Sequence, residues 1–230
     1  MSLEWREERT APAECGVVEV CRLFEDAARR HATHLGFGVA DLHAGGKAWV
    51  LSQLALRIVR LPAAGESLVV GTWPSRRTAG VRAWRDLELR TADGALLAEA
   101  ASIWLIVDRG SKRVSRLPGT FSTLAFPAKD TGVAPGEAWA ACGPADRVSS
   151  HLVVEADLDE NLHANNVSYV GWAWAALEGR AGACRRLDVD YLGEGLLGDV
   201  VEIGEWVGDG VIRQELRVGE RVVCRARWEV

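Results

Sequence analysis

Apolar residues recur at helical spacing near the start of the chain and at strand spacing over most of the rest. Val20, Leu23, Phe24, Ala27, Ala28, His31 and Leu35 fall at i, i+3, i+4, i+7, i+8, i+11 and i+15. Arg22, Glu25, Asp26, Arg29 and Arg30 take the other face. This period predicts an amphipathic helix, and Gly36 is its natural stop. From Lys47 the period shortens. Runs rich in Val, Ile, Leu and Trp at 49–60, 67–73, 84–91 and 95–107 read as strands. Pro62-Ala63-Ala64-Gly65 and Ala92-Asp93-Gly94 supply turns between them.

The second half repeats this order. A strand at 148–156 precedes a helix at about 166–178, and strands follow near 186–192, 200–207, 211–217 and 221–229. Val167 to Leu177 is apolar on every face, with only Ser168 and the Tyr169 hydroxyl polar. A helix apolar all round must be buried all round. Between strands, the simplest way to bury it is to wrap a sheet around it, which is the hotdog arrangement.

The halves also match in detail. Gly65 lies eight residues before Trp73, and Gly198 lies eight before Trp206. Arg85-Asp86-Leu87-Glu88-Leu89-Arg90 lines up with Arg213-Gln214-Glu215-Leu216-Arg217, and the run from Ala100 to Trp104 with that from Cys224 to Trp228. A tandem duplication accounts for these matches. The expected fold class is therefore α+β, with two tandem hotdog domains, each an antiparallel sheet wrapped around a central helix. The first spans 1–117 and the second 148–230. A Pro-, Gly-, Ala- and Thr-rich linker without periodicity, 118–147, is long enough to cross between them.

Composition narrows the function classes. A hydrophobic fraction of 48% and a charged fraction of 26% over 230 residues suit a folded globular chain. A net charge of −5 argues against a nucleic-acid partner, which would require a broad basic footprint. The charged start, Met1 to Arg9, lacks the apolar core of a secretory signal, and its acidic residues argue against a transit peptide. No apolar run approaches the ~20 residues needed to span a bilayer. Cys15, Cys21, Cys142, Cys184 and Cys224 are odd in number and never form CxxC. They read as reduced thiols of a cytoplasmic protein, without the spacing of a zinc site.

The segment Asp157-Leu158-Asp159-Glu160-Asn161-Leu162-His163-Ala164-Asn165-Asn166 crowds polar side chains directly before the apolar helix. Asn165 or Asn166 suits an N-cap, but capping alone does not require a histidine four residues after a carboxylate. The helix start also offers N–H groups and a positive dipole end to an oxyanion.

The pattern D-x-N-x-H-x-N-N-x-x-Y (Asp159 to Tyr169), followed by Tyr191-Leu192-Gly193-Glu194, resembles the acyl-acyl carrier protein thioesterases of plants and bacteria. So do Trp49-Val50-Leu51, Thr72-Trp73-Pro74, Arg85-Asp86, Trp104 to Asp108 and Arg116-Leu117-Pro118. The resemblance covers nearly the whole chain from about residue 15. It implies hydrolysis of fatty acyl-carrier thioesters, in the pathway of fatty acid biosynthesis, with catalytic positions at Asp159, Asn161, His163 and Glu194. It implies one site per chain, in the second half, since no such motif precedes the first helix, and it leaves the first domain to shape the acyl pocket. The family's plant members carry a cysteine directly after that glutamate. Here the residue is Gly195, which favours direct attack by water.

A thioester suits these side chains. Its thiolate leaving group has a pKa near ~8.5 and needs little acid assistance. The reaction needs an activated water and a place for negative charge. Glu194 or Asp159 is the candidate base, with His163 orienting the water and Asn161 fixing water or carbonyl. N–H groups near Asn166 and Val167 are the candidate oxyanion donors, and Asn165, Asn166 and Val167 are the candidate substrate-binding positions of this segment. No metal or organic cofactor is indicated.

Trp172 and Trp174 are candidates to line an acyl tunnel, whereas Trp49, Trp73, Trp104, Trp206 and Trp228 lie in strand patterns and read as core. His31 and His34 lack a third metal ligand, and His31 belongs to the apolar stripe. Arginines cluster at 76, 77, 82 and 85, at 109, 113 and 116 beside Lys112, and at 180, 185 and 186. Most such runs are solvated faces. The alternative is docking of an acidic carrier protein, for which Arg76, Arg77, Arg82, Arg185 and Arg186 are the candidates. A coenzyme A thioesterase and a silent acyl-binding module are the rival readings, and a homodimer is left open.

Overall fold

The computed structural model describes residues 3–122, 124–141, 143–180, 182, 184–208 and 210–230. Cys142 lies outside them. The chain divides into two compact units, Met1–Ala134 and Pro135–Val230.

In the first unit, β1 (Trp5–Thr10) leads into α1 (Val17–His34), which buries the predicted stripe from Val20 to His31. A short α2 (Val39–Ala44) precedes the long strands β2 (Lys47–Ile58), β3 (Ser67–Pro74), β4 (Ala83–Thr91) and β5 (Leu96–Asp108). All pair antiparallel in the order β1-β3-β4-β5-β2, with β6 (Val114–Ser115) on β5, and α3 (Gly119–Ser122) follows. The sequence pattern missed β1. Its residues Trp5-Arg6-Glu7-Glu8-Arg9-Thr10 are an edge strand with Arg6, Glu8 and Thr10 exposed, so apolar content does not mark it.

The second unit has the same wiring. β7 (Arg147–Leu152) leads through a 3₁₀ turn (Glu155–Asp157) into α4 (Asn166–Ala176). β8 (Arg186–Tyr191), β9 (Val200–Gly208), β10 (Val211–Val218) and β11 (Arg221–Glu229) follow. Their antiparallel order is β7-β9-β10-β11-β8, the order of the first unit position for position. Each unit is thus a helix packed across a five-stranded antiparallel sheet, the hotdog fold.

The repeat extends to register. Gly65 and Gly198 both turn the chain at positive φ (73° and 84°), a region only glycine enters without strain. Trp5 of β1 then faces Thr72, and Arg147 of β7 faces Glu205, seven residues after each glycine. Two details of the sequence alignment shift. Thr72 pairs with Leu87 and Glu205 with Gln214, so Asp86 rather than Arg85 corresponds to Arg213. Leu87 pairs with Ala100 and Gln214 with Ala226, so Ala100 corresponds to Ala226 rather than Cys224. The second displacement, by two, keeps each side chain on its face of the sheet, which is why periodicity could not detect it.

The expectation that α4 is buried all round needs correction. Val167, Tyr169, Val170, Trp172 and Ala173 are buried, but Ala175 is exposed and Ser168, Gly171 and Trp174 are half-buried. The sheet covers one side of the helix, and its open side carries mostly small residues. Of the strand tryptophans, Trp73 and Trp228 are fully buried, whereas Trp49, Trp104 and Trp206 are partly accessible.

Phe121 and Lys129, from the expected linker, pack on the first unit. Phe121 meets Phe37 at 5.1 Å between ring centroids, and the Lys129 ammonium sits 3.7 Å over Trp73. Gly136 and Trp139, farther along it, pack on the second, with Trp139 on Trp206 and the Gly136 N–H donating to Asp188. Among the described residues no helix is long and apolar enough to cross a membrane.

Candidate active site

Between β7 and α4 the chain forms a small hairpin. The Asn165 N–H donates to the Asp157 carbonyl (2.8 Å), Leu158 bridges Ala164, and the Asp159 N–H donates to the His163 carbonyl (2.8 Å). A turn closes the tip, with the Leu162 N–H donating to the Asp159 carbonyl (3.0 Å). Leu162 takes the left-handed conformation (φ 62°), uncommon for a residue with a side chain. The Asp159 carboxylate locks this turn. Its Oδ1 accepts the N–H groups of Asn161 (2.8 Å) and His163 (3.2 Å), and its Oδ2 accepts the Asn161 side-chain amide (3.3 Å).

The segment after β8 joins the hairpin as a third strand. His163 bridges Leu196, and the Ala164 N–H donates to the Gly195 carbonyl (2.9 Å). This places Glu194 Oε2 3.5 Å from His163 Nε2, with the glutamate side chain half exposed. Tyr169, on the buried face of α4, fixes the segment from beneath. Its hydroxyl accepts the Gly195 N–H (2.6 Å) and donates to the Gly193 carbonyl (3.3 Å), holding the backbone on both sides of Glu194. Desolvation pushes the Tyr169 hydroxyl far above its ordinary range, so it stays protonated and can donate. A Cβ at Gly195 would stand 3.1 Å from that hydroxyl and 3.4 Å from Ala164 Cβ, a close fit that glycine avoids.

Asp159, Asn161, His163 and Glu194 are therefore brought together. Of the expected oxyanion donors, the Val167 N–H is engaged by the helix cap. Asn165 is the N-cap, and its Oδ1 takes the Val167 N–H (2.7 Å), while the Ser168 N–H donates to the Asn165 carbonyl. The Asn166 carbonyl accepts the Tyr191 hydroxyl (3.3 Å). Trp172 is buried, with its indole N–H directed to Asp157 Oδ1 (3.3 Å) rather than presenting a bare apolar wall. Trp174 is half-buried beside Trp228, 5.4 Å between centroids.

Two residues absent from the sequence-based set belong to this neighbourhood, His151 and Asp157. Burial raises the Asp157 carboxyl, but hydrogen bonds from His151, the Val154 N–H and Trp172 outweigh it and hold the group below its ordinary range. Among the arginines, Arg77 pairs with buried Asp86, donates to the Val133 carbonyl and stacks over Trp84. Arg186 grips Asp188 through two hydrogen bonds (2.7 and 2.8 Å). Arg76, Arg82 and Arg185 are exposed. His31 is fully buried with its Nδ1 3.1 Å from Arg85, a core position. Among the described residues no group of three or more His, Cys, Asp or Glu is placed to hold a metal.

A family model described as the acyl-ACP thioesterase N-terminal domain matches residues 8–123. The chloroplastic palmitoyl-acyl carrier protein thioesterase of Arabidopsis thaliana is 30% identical over 148 residues, covering 60% of this chain and 35% of its own length. The chain thus spans about a third of the curated relatives it matches first. The solved acyl-ACP thioesterase from Bacteroides thetaiotaomicron superposes with a TM-score of 0.89 at 20% identity, covering 100% of this chain and 99% of that one. The 12:0-ACP thioesterase from Umbellularia californica superposes at 0.86 and 20% identity, covering 100% and 97%. At that identity the superpositions establish the fold.

Proposed function

Since the chain belongs to the acyl-ACP thioesterase family, we propose that it hydrolyses fatty acyl-acyl carrier protein thioesters to a free fatty acid and the carrier's thiol. The observation that carries this reading is the approach of Glu194 to His163 (3.5 Å) on a hairpin locked by Asp159. Glu194, half exposed and beside the imidazole, is the better placed base, because Asp159 already accepts three hydrogen bonds within its own turn. Water held by His163 loses its proton to the His163–Glu194 pair as its oxygen adds to the thioester carbonyl. The tetrahedral intermediate collapses by expelling the carrier thiolate, which takes up the proton. With the Val167 and Ser168 N–H groups engaged, the Asn161 side-chain amide is the donor that the hairpin offers to the carbonyl oxygen.

Direct water attack is further supported by the thiols. Desolvation pushes Cys15 and Cys184 up to about 11, and Cys224 higher still, so none of these offers a thiolate near neutral pH. The four described cysteines are buried thiols rather than disulfides, in keeping with a reducing, cytoplasmic setting. The reading assigns the first unit to shaping the acyl pocket, Trp174 to contact with the chain, and exposed Arg76, Arg82 and Arg185 to the acidic carrier.

Thiol release measured on matched acyl-carrier protein and acyl-coenzyme A tests the proposal. Turnover favouring the carrier protein is expected, unaffected by thiol alkylation and with one labelled oxygen from ¹⁸O-water in the fatty acid. Absence of thiol release from both carriers, or label found in Glu194 or Asp159 after a single turnover, would overturn it.

A further inference from the structure

We propose that His151 is a positioning residue for this site, resting on the thioesterase reading above. Through Asp157 it clamps the base of the catalytic hairpin to β7 and α4. His151 Nε2 lies 2.9 Å from Asp157 Oδ2, which also accepts the Val154 N–H (2.9 Å). The other carboxylate oxygen accepts the Trp172 indole N–H, and the His151 ring stacks on that indole at 4.7 Å and 26°. The Asp157 carbonyl takes the Asn165 N–H (2.8 Å) and the Ser168 hydroxyl (2.9 Å). One residue therefore ties together the end of β7, the return strand of the hairpin and the first turns of α4.

The position of this knot matters more than its strength. Asp157 stands two residues before Asp159, at the base of a hairpin whose tip carries Asp159, Asn161 and His163. A shift at the base is passed to the tip, because the paired strands move as a unit. Catalytic geometry tolerates little of this, and a misplacement of about 1 Å costs on the order of 10²-fold in rate. β7 is itself an edge strand, and among the described residues of its unit it pairs with β9 alone. Its exposed side chains give little packing to replace the clamp.

The full chain carrying His151→Leu or His151→Gln, assayed at steady state on acyl-carrier protein, tests the inference. Glutamine can bring an amide nitrogen to the place of Nε2, and leucine cannot. The leucine variant should lose about tenfold in kcat with KM within twofold, and the glutamine variant should recover most of that loss. Amide hydrogen exchange at Asn161 and His163 should speed up in the leucine variant and stay slow in the glutamine variant. Unchanged kcat and exchange in the leucine variant would overturn the clamp, as would a loss expressed in KM. Equal losses in both variants would overturn it too, by pointing to ring packing on Trp172. If the unaltered chain cleaves neither carrier, the thioesterase reading falls, and the exchange comparison alone decides the clamp.

Discussion

Asp159 and Glu194 are both carboxylates of the proposed site, and their surroundings suit them to different work. Asp159 is turned into its own loop, whereas Glu194 is half exposed beside His163. Glu194→Gln should lower kcat by about 10²-fold or more, the scale of general-base loss, with no change in the thermal midpoint. Steady-state rates and a melting curve check both halves of that statement. The four proposed catalytic positions could be singled out in the sequence because their chemistry and spacing stand out from a loop, and the fold brings them together. His151 was not, since it sits inside a strand with no spacing rule to mark it. The engagement of Arg186 could have been read, because residues two apart on a strand share a face and Asp188 stands there. That of Arg77 could not, since its partner Asp86 is reached only when β3 and β4 fold together.

At the scale of elements, α4 serves the site more than its apolar surface suggests. Its cap Asn165 fixes where the helix begins, and Tyr169 reaches beneath the strand carrying Glu194. Tyr169→Phe keeps the ring and removes both hydroxyl bonds. It should lower kcat about tenfold and reduce stability by about 2 kcal/mol, at about 1 kcal/mol net for each hydrogen bond. Kinetics alongside denaturant melts would measure the two effects separately, and an unaltered kcat would remove Tyr169 from the account of Glu194. Periodicity located nearly every long element, because burial on one face imposes it. It overstated the burial of α4, because small residues look apolar in sequence yet need no cover. Neither β1 nor the hairpin was visible as structure, since both are held by backbone pairing and polar side chains.

At the scale of the molecule, two units with the same strand order carry unequal equipment. The carrier-docking reading belongs here, and it falls on the exposed arginines, because Arg77 is held by Asp86 and removing it would disturb a buried carboxylate. Arg76→Gln with Arg82→Gln should raise KM for acyl-carrier protein and weaken its salt dependence, leaving kcat near its original value. Titrating both carriers across ionic strength decides the matter, and an unmoved KM would mark this pair as a solvated face.

The connection from β1 to α1 takes six residues, 11–16, and the one from β7 to α4 takes thirteen, 153–165. In chain-statistics terms, that doubling of loop length costs on the order of 0.6 kcal/mol of closure entropy. A domain's stability is about 5–15 kcal/mol. A duplicated scaffold could therefore acquire a reactive insert in one copy with hardly any thermodynamic consequence. The other copy keeps the short connection. If the two units take the parts proposed for them, duplication separates reactivity from substrate preference, so that the second can change without risk to the first.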